Sequence, residues 1–441
     1  MLCHARAISY KLKRFYNKCW GGFPTPAFLC IIKKTSALHH KETEVTIIKI
    51  QDHYITEFLD LKGIQVKKLE RKEKGIFLHI TTKAKTQNCP CCNNKTNKIH
   101  DYRTQTIKDV PYHHQMVYFV LKKRRYVCKH CNKRFYESYD FLARYLRRTT
   151  RATKGILYEL FDVCTKKEIA KRYQVSTTTV SRVLKMVSFE KPKLPKVLCI
   201  DEFKGNAQTG KYQCILVDGK HHKVIDILKD RTFAYLQSYF SSYTRQERKR
   251  VEYFVCDLWS PYAEIARSIF PNAKLIADRY HFVRQVYWAV EGIRKEKQKS
   301  MPKEQRKYFK RSKKLLLAPY ESLKEEDKQA VDLMLWYHED LRKAHDLKER
   351  FYKIIKNKKK KEQREQLDCF IKEAEKTGQK AFLRLASTYR KWRGSILNAL
   401  SFPYSNGVTE GFNNKIKVLK RISYGLKNFE EFRKRILLIC N

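Results

Sequence analysis

Two kinds of side chain in this sequence are spaced for chemistry: carboxylates that close apolar runs, and cysteines in pairs. Asp201 follows the run VLCI and Asp257 follows YFVC, so each is expected at or near the end of a buried strand. A carboxylate there is costly unless something offsets its charge. Divalent ions do so, and two metals held by carboxylates activate the attacking oxygen and stabilise the leaving one in phosphoryl displacement. A third carboxylate would come from a later helix, and Glu410 in YSNGVTEGFNNKIKVLK is the candidate. Gly407 precedes that helix, and Asn413, Asn414, Lys415 and Lys417 are expected on its surface. Glu202, Asp218, Asp226, Asp230 and Asp278 are rivals. Asp278 leads them, because it too ends an apolar strand in LIADRYHFV. A single Asp after a strand is as often a turn or cap residue, so spacing alone leaves the choice open.

The cysteines are more specific. Cys89 and Cys92 form one C-x-x-C and Cys128 and Cys131 another, separated by strand-like text that includes VYFVLKKRRYVC. Each such turn aims two thiolates at one ion, and two turns supply the four ligands of tetrahedral zinc. The pattern predicts a zinc ribbon, in a segment with too few apolar residues to hold itself together otherwise. Cys91 is expected to be a bystander, while His130 lies where it could substitute as a ligand. The basic run Lys122, Lys123, Arg124 and Arg125 beside the ribbon would face phosphates, although a charge run is more often a solvated surface.

A third motif, TKKEIAKRYQVSTTTVSRVLKMV, runs from Thr165 to Val187. It reads as a helix with Ile169 and Ala170 inward, a turn at Tyr173 to Val175, and a second helix capped by Ser176 or Thr177 with Val180, Val183 and Leu184 inward. A helix-turn-helix of this kind offers the start of its second helix, here Thr177, Thr178, Thr179, Ser181 and Arg182, to the major groove of DNA. An ordinary helical hairpin would not require that hydroxyl-rich, basic face.

The elements that must position these residues fall into blocks. Residues 1–54 are a basic segment without periodicity, either an arm or upstream sequence preceding the true start. Residues 55–140 open with a short helix and two strands and then carry the paired cysteines. Residues 141–190 hold the helix-turn-helix, and a linker, KPKLPK, ends it. Residues 191–441 begin with five apolar strands, VLCIDEF, YQCILVD, KVIDILK, YFVCD and KLIAD, whose spacing predicts an α/β sheet of mixed strand direction. A basic helical stretch, an insertion over about 285–400, separates the last strand from the Glu410 helix.

Composition agrees with a polyanionic partner. Lys and Arg number 95 against 45 Asp and Glu in 441 residues, a net charge of +50 spread along the whole chain, and such a field attracts nucleic acid. No apolar run reaches the roughly 18–20 residues of a membrane span. Fourteen cysteines without an export signal point to reduced thiols and a metal site. A cytoplasmic protein, associated with the nucleoid when bound to DNA, is the expectation.

The words IDEFKG, VCDLWSPY, AKLIADRYHFV and VTEGFNNKIKVLKRISYGLKNFEEFRKRIL, with the order ribbon, helix-turn-helix, core, resemble transposases of the ISL-three family of bacterial insertion sequences. The resemblance covers about residues 55–440. It implies a ribonuclease-H-like catalytic domain of mixed sheet with a helical insertion, in a multidomain α/β chain. It also implies a DDE mechanism with Asp201, Asp257 and Glu410 as the triad holding Mg²⁺ or Mn²⁺. The expected reaction is attack of water at the end of the element, then attack of the freed 3′-hydroxyl on target DNA, without a covalent protein intermediate. Double-stranded DNA, as terminal inverted repeats and as target, is the expected partner, and pairing two ends requires at least a dimer. Near the reacting strands, Tyr280 and His281 are placed to position DNA, while Trp259 is expected to pack in the core. A regulator that binds DNA without catalysis, or a nuclease of the same fold, are the alternatives.

Overall fold

The structure, a computed structural model, describes residues 63–205, 209–423 and 426–441. The expected N-terminal segment 1–54 and the short helix after Ile55 lie outside the described residues.

The first unit is a five-stranded sheet. Strands β1 (Ile64–Lys72) and β2 (Gly75–Thr82) form a hairpin. Long strands β5 (Ile99–Lys108) and β6 (Val117–Val127) form a second hairpin, with β2 parallel to β6. The two-residue strands β3 (Gln87–Asn88) and β4 (Lys95–Thr96) pair in a small sheet of their own, and β7 (Arg134–Tyr136) adds to β6. One face is closed by Val66, Leu78, Ile80, Ile107, Val117, Phe119 and Leu121. Partners, not alternation, set the fate of the basic run on β6, since Lys122 and Arg124 lie on the same face. Lys122 is exposed, whereas Arg124 turns inward, donates to Thr82 Oγ1 at 3.1 Å and pairs with the buried Glu137 at 3.1 Å.

Three helices follow: α1 (Thr150–Glu159), α2 (Lys166–Arg172) and α3 (Thr177–Lys185). Each start is capped by a hydroxyl, Thr149, Thr165 and Ser176 respectively, which supplies an acceptor for an otherwise unpaired amide. The reversal between α2 and α3 turns on Gln174, which takes φ 48°. Buried Asp109, at the end of β5, accepts from Thr149 Oγ1 at 2.6 Å and from Arg151 Nε at 2.8 Å, joining this bundle to the first sheet.

The third unit is the mixed α/β core. Its strands are β8 (Val197–Lys204), β9 (Tyr212–Asp218), β10 (Lys223–Leu228), β11 (Tyr253–Cys256) and β12 (Lys274–Ala277). Their order is β10-β9-β8-β11-β12, the first three antiparallel and the last two parallel to β8. This is the ribonuclease-H-like arrangement expected from the sequence. Helices α4 (Phe233–Ser241) and α5 (Arg245–Lys249) bridge β10 to β11, and α6 (Ser260–Ile269) crosses from β11 to β12.

A helical insertion then interrupts the core. It contains α7 (Arg279–Lys299), α8 (Lys303–Arg311), α9 (Lys313–Leu317), α10 (Glu325–Tyr337), α11 (Glu339–Lys356), α12 (Lys360–Lys376) and α13 (Lys380–Ser401). Its first helix begins directly after Asp278. Phe282, Phe351, Phe370 and Tyr389 meet at its centre, continuous with the core of the sheet. The chain returns through α14 (Gly407–Ile422) and ends in α15 (Phe429–Cys440). α15 bridges two units. Its Phe432 and Ile436 pack on the sheet core, and its Leu438 joins the core of α1 to α3.

Candidate active site, metal centre and nucleic-acid interface

Strand register brings three aspartates into one row. β8 and β11 pair in parallel up to Cys199 and Val255, and β11 and β12 up to Cys256 and Ala277. Two residues further along β8 and β11 stand Asp201 and Asp257; one further along β12 stands Asp278. Neighbouring strands lie about 4.8 Å apart, and residues at one level of a parallel pair share a face. The carboxylates therefore feel one another. Burial pushes Asp201 up to about 6, and the charges of Asp257 and Asp278 add to the rise. Burial likewise pushes Asp257 up to about 6, with Glu202 and Asp278 as the next contributors.

One expectation needs correction. Asp201 was expected at or near a strand end, but β8 runs on to Lys204 and Asp201 pairs with Ile215 of β9 inside it. The apolar run is interrupted at Asp201 and Glu202, but Phe203 returns to the core against Phe432 and the hairpin with β9 continues to Lys204.

The three aspartates differ in what already satisfies them. Asp201 Oδ1 accepts the Glu202 N–H at 2.8 Å and Oδ2 accepts Asn413 Nδ2 at 2.9 Å. Asp278 is buried at the N-cap position of α7, without a side-chain cap hydrogen bond, and its Oδ1 accepts the Asn406 N–H at 3.1 Å. Asn406 also donates from its side chain to Ile200 O at 3.0 Å, so it ties the start of α14 to both β8 and β12. Asp257 Oδ1, by contrast, is buried without a hydrogen-bond partner. A buried carboxylate oxygen left in this state is stabilised by a cation. The donor set therefore suits a hard divalent ion.

Glu410 is exposed in the first turn of α14, near enough to Asp278 that its charge raises that carboxyl. The side chains of Asp201, Asp257 and Glu410 do not converge to within 4.8 Å of one another. Asn413, expected on the helix surface, is instead buried against Asp201. Thr409, Phe412, Asn413, Ile416 and Leu419 make the inner face of α14, and that spacing was the available signal.

The other acidic rivals have structural partners. Asp218 accepts N–H groups of Lys220 and His221 in the β9–β10 turn, Asp226 pairs with Arg433 at 2.6 Å, and Asp230 accepts from Thr232 N–H ahead of α4. Glu202 turns to Arg231. Arg231, which no motif marked, lies against the rings of Tyr212 at 4.3 Å and Trp259 at 4.6 Å, and its charge lowers Asp257. Trp259 is partly buried against the core, edge-on to Tyr262. His281 Nε2 lies 3.9 Å from Asp278 Oδ2.

The four paired cysteines do converge. Their sulfurs lie within 4.8 Å of one another, Cys89 to Cys131 and Cys92 to Cys128 at 3.5 Å each. After each C-x-x-C the chain turns through a left-handed Asn, Asn93 at φ 57° and Asn132 at φ 55°. Asn93 N–H bonds Cys89 O and Asn132 N–H bonds Cys128 O, so the two turns are near copies. Backbone N–H of Cys92 pulls the Cys89 thiol down to about 6, the thiolate form that a metal takes. Cys91 is exposed, and His130 is exposed outside the cluster.

On α3, Thr177, Thr178 and Arg182 are exposed. Thr179 Oγ1 shares a hydrogen bond with Ser176 Oγ, and Ser181 accepts from Lys166 at 2.9 Å, beside Glu431 of α15. On β6, Lys122 lies 4.6 Å from the ring of Tyr102, and Lys123 and Arg125 lie 5.0 and 5.8 Å from that of Tyr136.

Comparison with known families decides the class. A transposase family model matches residues 198–436, more than half the chain, and two more match ahead of it: a zinc finger of transposases IS204/IS1001/IS1096/IS1165 over 85–131, and a helix-turn-helix domain of transposase family ISL3 over 137–188. The chain belongs to the ISL3 family of transposases. This ISL3 chain is 23% identical over 388 residues to the transposase for insertion sequence element IS1001 of Bordetella parapertussis, covering 84% of this chain and 94% of that one. A 51-residue stretch is 49% identical to a protein described as an ATP-dependent protease of Lactococcus lactis subsp. lactis, covering 12% of this chain and 16% of that one. The ISL3 ribbon, helix-turn-helix and core thus fall within the three units described above, in that order. Among the described residues, no helix is long and apolar enough to cross a membrane.

Proposed function

We propose that this transposase binds the terminal inverted repeats of an insertion sequence and catalyses metal-dependent DNA cleavage and strand transfer, with Asp201, Asp257 and Glu410 as its catalytic triad. The observation that carries the reading is the level placement of Asp201 and Asp257 on adjacent parallel strands, with Asp257 Oδ1 buried and unpartnered. The triad would hold Mg²⁺ or Mn²⁺, which when bound activates the attacking oxygen and stabilises the leaving oxygen.

The chain's own residues do the positioning. Asn413 fixes the Asp201 carboxylate, and the Asn406 bonds to Asp278 and Ile200 hold the start of α14, from which Glu410 projects beside the aspartate row. Arg231 engages Glu202 and so keeps that neighbouring carboxylate out of the set. Asp278 serves as the anchor of Asn406 rather than as a triad member.

Recognition is assigned to the other units. Thr177, Thr178, Thr179, Ser181 and Arg182 face the major groove, with Thr177, Thr178 and Arg182 the freest to reach it. Lys122, Lys123 and Arg125 meet phosphates, which position the duplex without reading it; Arg124 supports them from within the sheet. Cys89, Cys92, Cys128 and Cys131 hold a structural Zn²⁺. Working complexes pair two DNA ends and are at least dimeric, and the protein acts in the cytoplasm on the nucleoid.

The test is a strand-transfer assay with Mg²⁺ and DNA carrying the repeats that flank the gene. Joined product supports the transposase, cleavage without joining points to a nuclease, and binding alone to a regulator. If Asp201→Ala still joins DNA, the triad is misassigned.

A further inference from the structure

The outer face of α7 carries an aromatic and cationic strip that the chemistry above does not use. Tyr280, Arg284 and Trp288 recur every four residues and so share one side of the helix. Both Tyr280 and Trp288 are 56% exposed, while Phe282, Val286, Ala289, Val290 and Ile293 do the packing on the opposite side. The Arg284 guanidinium sits between the two rings, 5.4 Å from the Tyr280 centroid and 4.4 Å from that of Trp288.

These residues border an open cavity of about 570 Å³, lined also by Arg279, Glu291 and Lys313. Glu291 does not make it acidic. Its carboxylate is held by Arg294 at 2.8 Å and approached by Lys313 at 3.5 Å and Lys295 at 3.7 Å. The cavity is therefore a cationic pocket with an aromatic wall. It begins two residues after Asp278 and extends roughly 12 Å along the helix from Tyr280 to Trp288.

We propose that this strip binds an unpaired stretch of DNA strand, with nucleobases stacked on Trp288 and Tyr280 and the phosphates drawn by Arg279, Arg284 and Lys313. A base in intact duplex has its faces covered by its neighbours and cannot reach an indole. An unpaired base exposes its π face, and stacking on aromatic side chains in a cationic groove is how single strands are held without sequence preference. The charge argues for DNA over a second copy of this chain, whose net charge of +50 would be repelled. The inference rests on the proposed reacting centre only for the reason such strands arise there; the binding itself does not need the chemistry.

The experiment uses the full chain and a single-stranded oligonucleotide carrying 2-aminopurine, alongside the same oligonucleotide annealed to its complement. The wild-type chain should bind the single strand and quench the 2-aminopurine. Trp288→Ala should weaken single-strand binding by about 5- to 150-fold and abolish most of the quenching, with duplex affinity changed less than about twofold. Trp288→Phe should restore both readouts. Asp257→Ala should keep the quenching even though it loses joining, which separates this site from the triad assignment. Equal loss for single strand and duplex, no loss for either, failure of Trp288→Phe to rescue, or displacement of the protein from the strand only by an acidic peptide each overturns the proposal.

Discussion

The side-chain amide of Asn413 donates to Asp201 Oδ2 at 2.9 Å across a separation of 212 residues in the chain. It connects the returning helix α14 to the central strand β8, and with them the two ends of the helical insertion's host domain. Because Asn413 lies one turn after Glu410 on the same helix, this single bond couples the orientation of two proposed triad members.

Asn413→Ala should therefore act like loss of an outer-sphere partner of a metal ligand. The expected cost is about 10- to 100-fold in metal affinity or activity. A Mg²⁺ titration of DNA cleavage reads it: the midpoint should move to higher Mg²⁺, with DNA affinity unchanged. A shift in DNA affinity with the Mg²⁺ midpoint unmoved would refute the coupling.

Asp257 makes a prediction about stability. Its carboxyl is raised by burial from 3.8 to about 6 in the metal-free fold. Below about 4 both folded and unfolded chains hold the proton, so the group contributes nothing. Between about 4 and 6 the unfolded chain releases its proton first, and the fold loses stability as pH rises, levelling off above 6. The full shift corresponds to about 3 kcal/mol, and partial exposure reduces it to roughly 1–2 kcal/mol. Asp257→Asn should raise the Tm of the metal-free protein by a few degrees at pH 7.5 and hardly at all at pH 4. The same gain at both pH values would sink the account. Mg²⁺ at pH 7.5 should raise the Tm of the wild type and not that of the variant.

How far the sequence carried these assignments depends on what each residue had to do. Cys89, Cys92, Cys128 and Cys131 were legible because a four-thiol site needs only local turns and residue type. Thr165 and Ser176 were legible as helix starts because capping is also local. Asp201 and Asp257 stood out against apolar runs, yet that Asp278 stands level with them and is held by Asn406 needed the register of β11 and β12 and the returning helix. Asn413 was misplaced because polarity was read without its helical face. Arg231 left no trace in the sequence, since its partners Glu202, Tyr212 and Trp259 come from three separate elements. Arg124 looked like its basic neighbours until Glu137 and Thr82, from separate elements, drew it inward.

Zinc removal should act locally. The ribbon's turns depend on the ion, whereas the sheet behind them has its own core of Leu78, Ile107, Phe119 and Leu121. Purified protein should contain one zinc per chain, and Cys92→Ser should lose it. Amide exchange should then rise over the two cysteine turns, about 87–96 and 128–134, while β5, β6 and α1 to α3 keep their protection. Equal zinc content in the wild type and Cys92→Ser would remove the metal from this site.

Arg435 tests how the recognition bundle is held. Its guanidinium is buried and donates to the carbonyls of Leu160, Asp162 and Cys164, so a cation from the last helix closes the end of α1. A half-buried pair nearby, Lys166 with Glu431, also links α15 to α2 but leaves no backbone carbonyl unpaired when it is lost. Arg435→Met keeps much of the volume but strands those carbonyls, at a cost of about 2–4 kcal/mol. The loss should appear as faster amide exchange in α1 to α3, with β8, β9 and β11 still protected, because the sheet core does not depend on this contact. Strand transfer should fall more than repeat binding, since the bundle still folds around Ile156, Ile169, Val180 and Leu184 but no longer sits fixed relative to Asp201. Uniform exchange across the whole chain would show instead that Arg435 supports global stability and not the docking of the bundle.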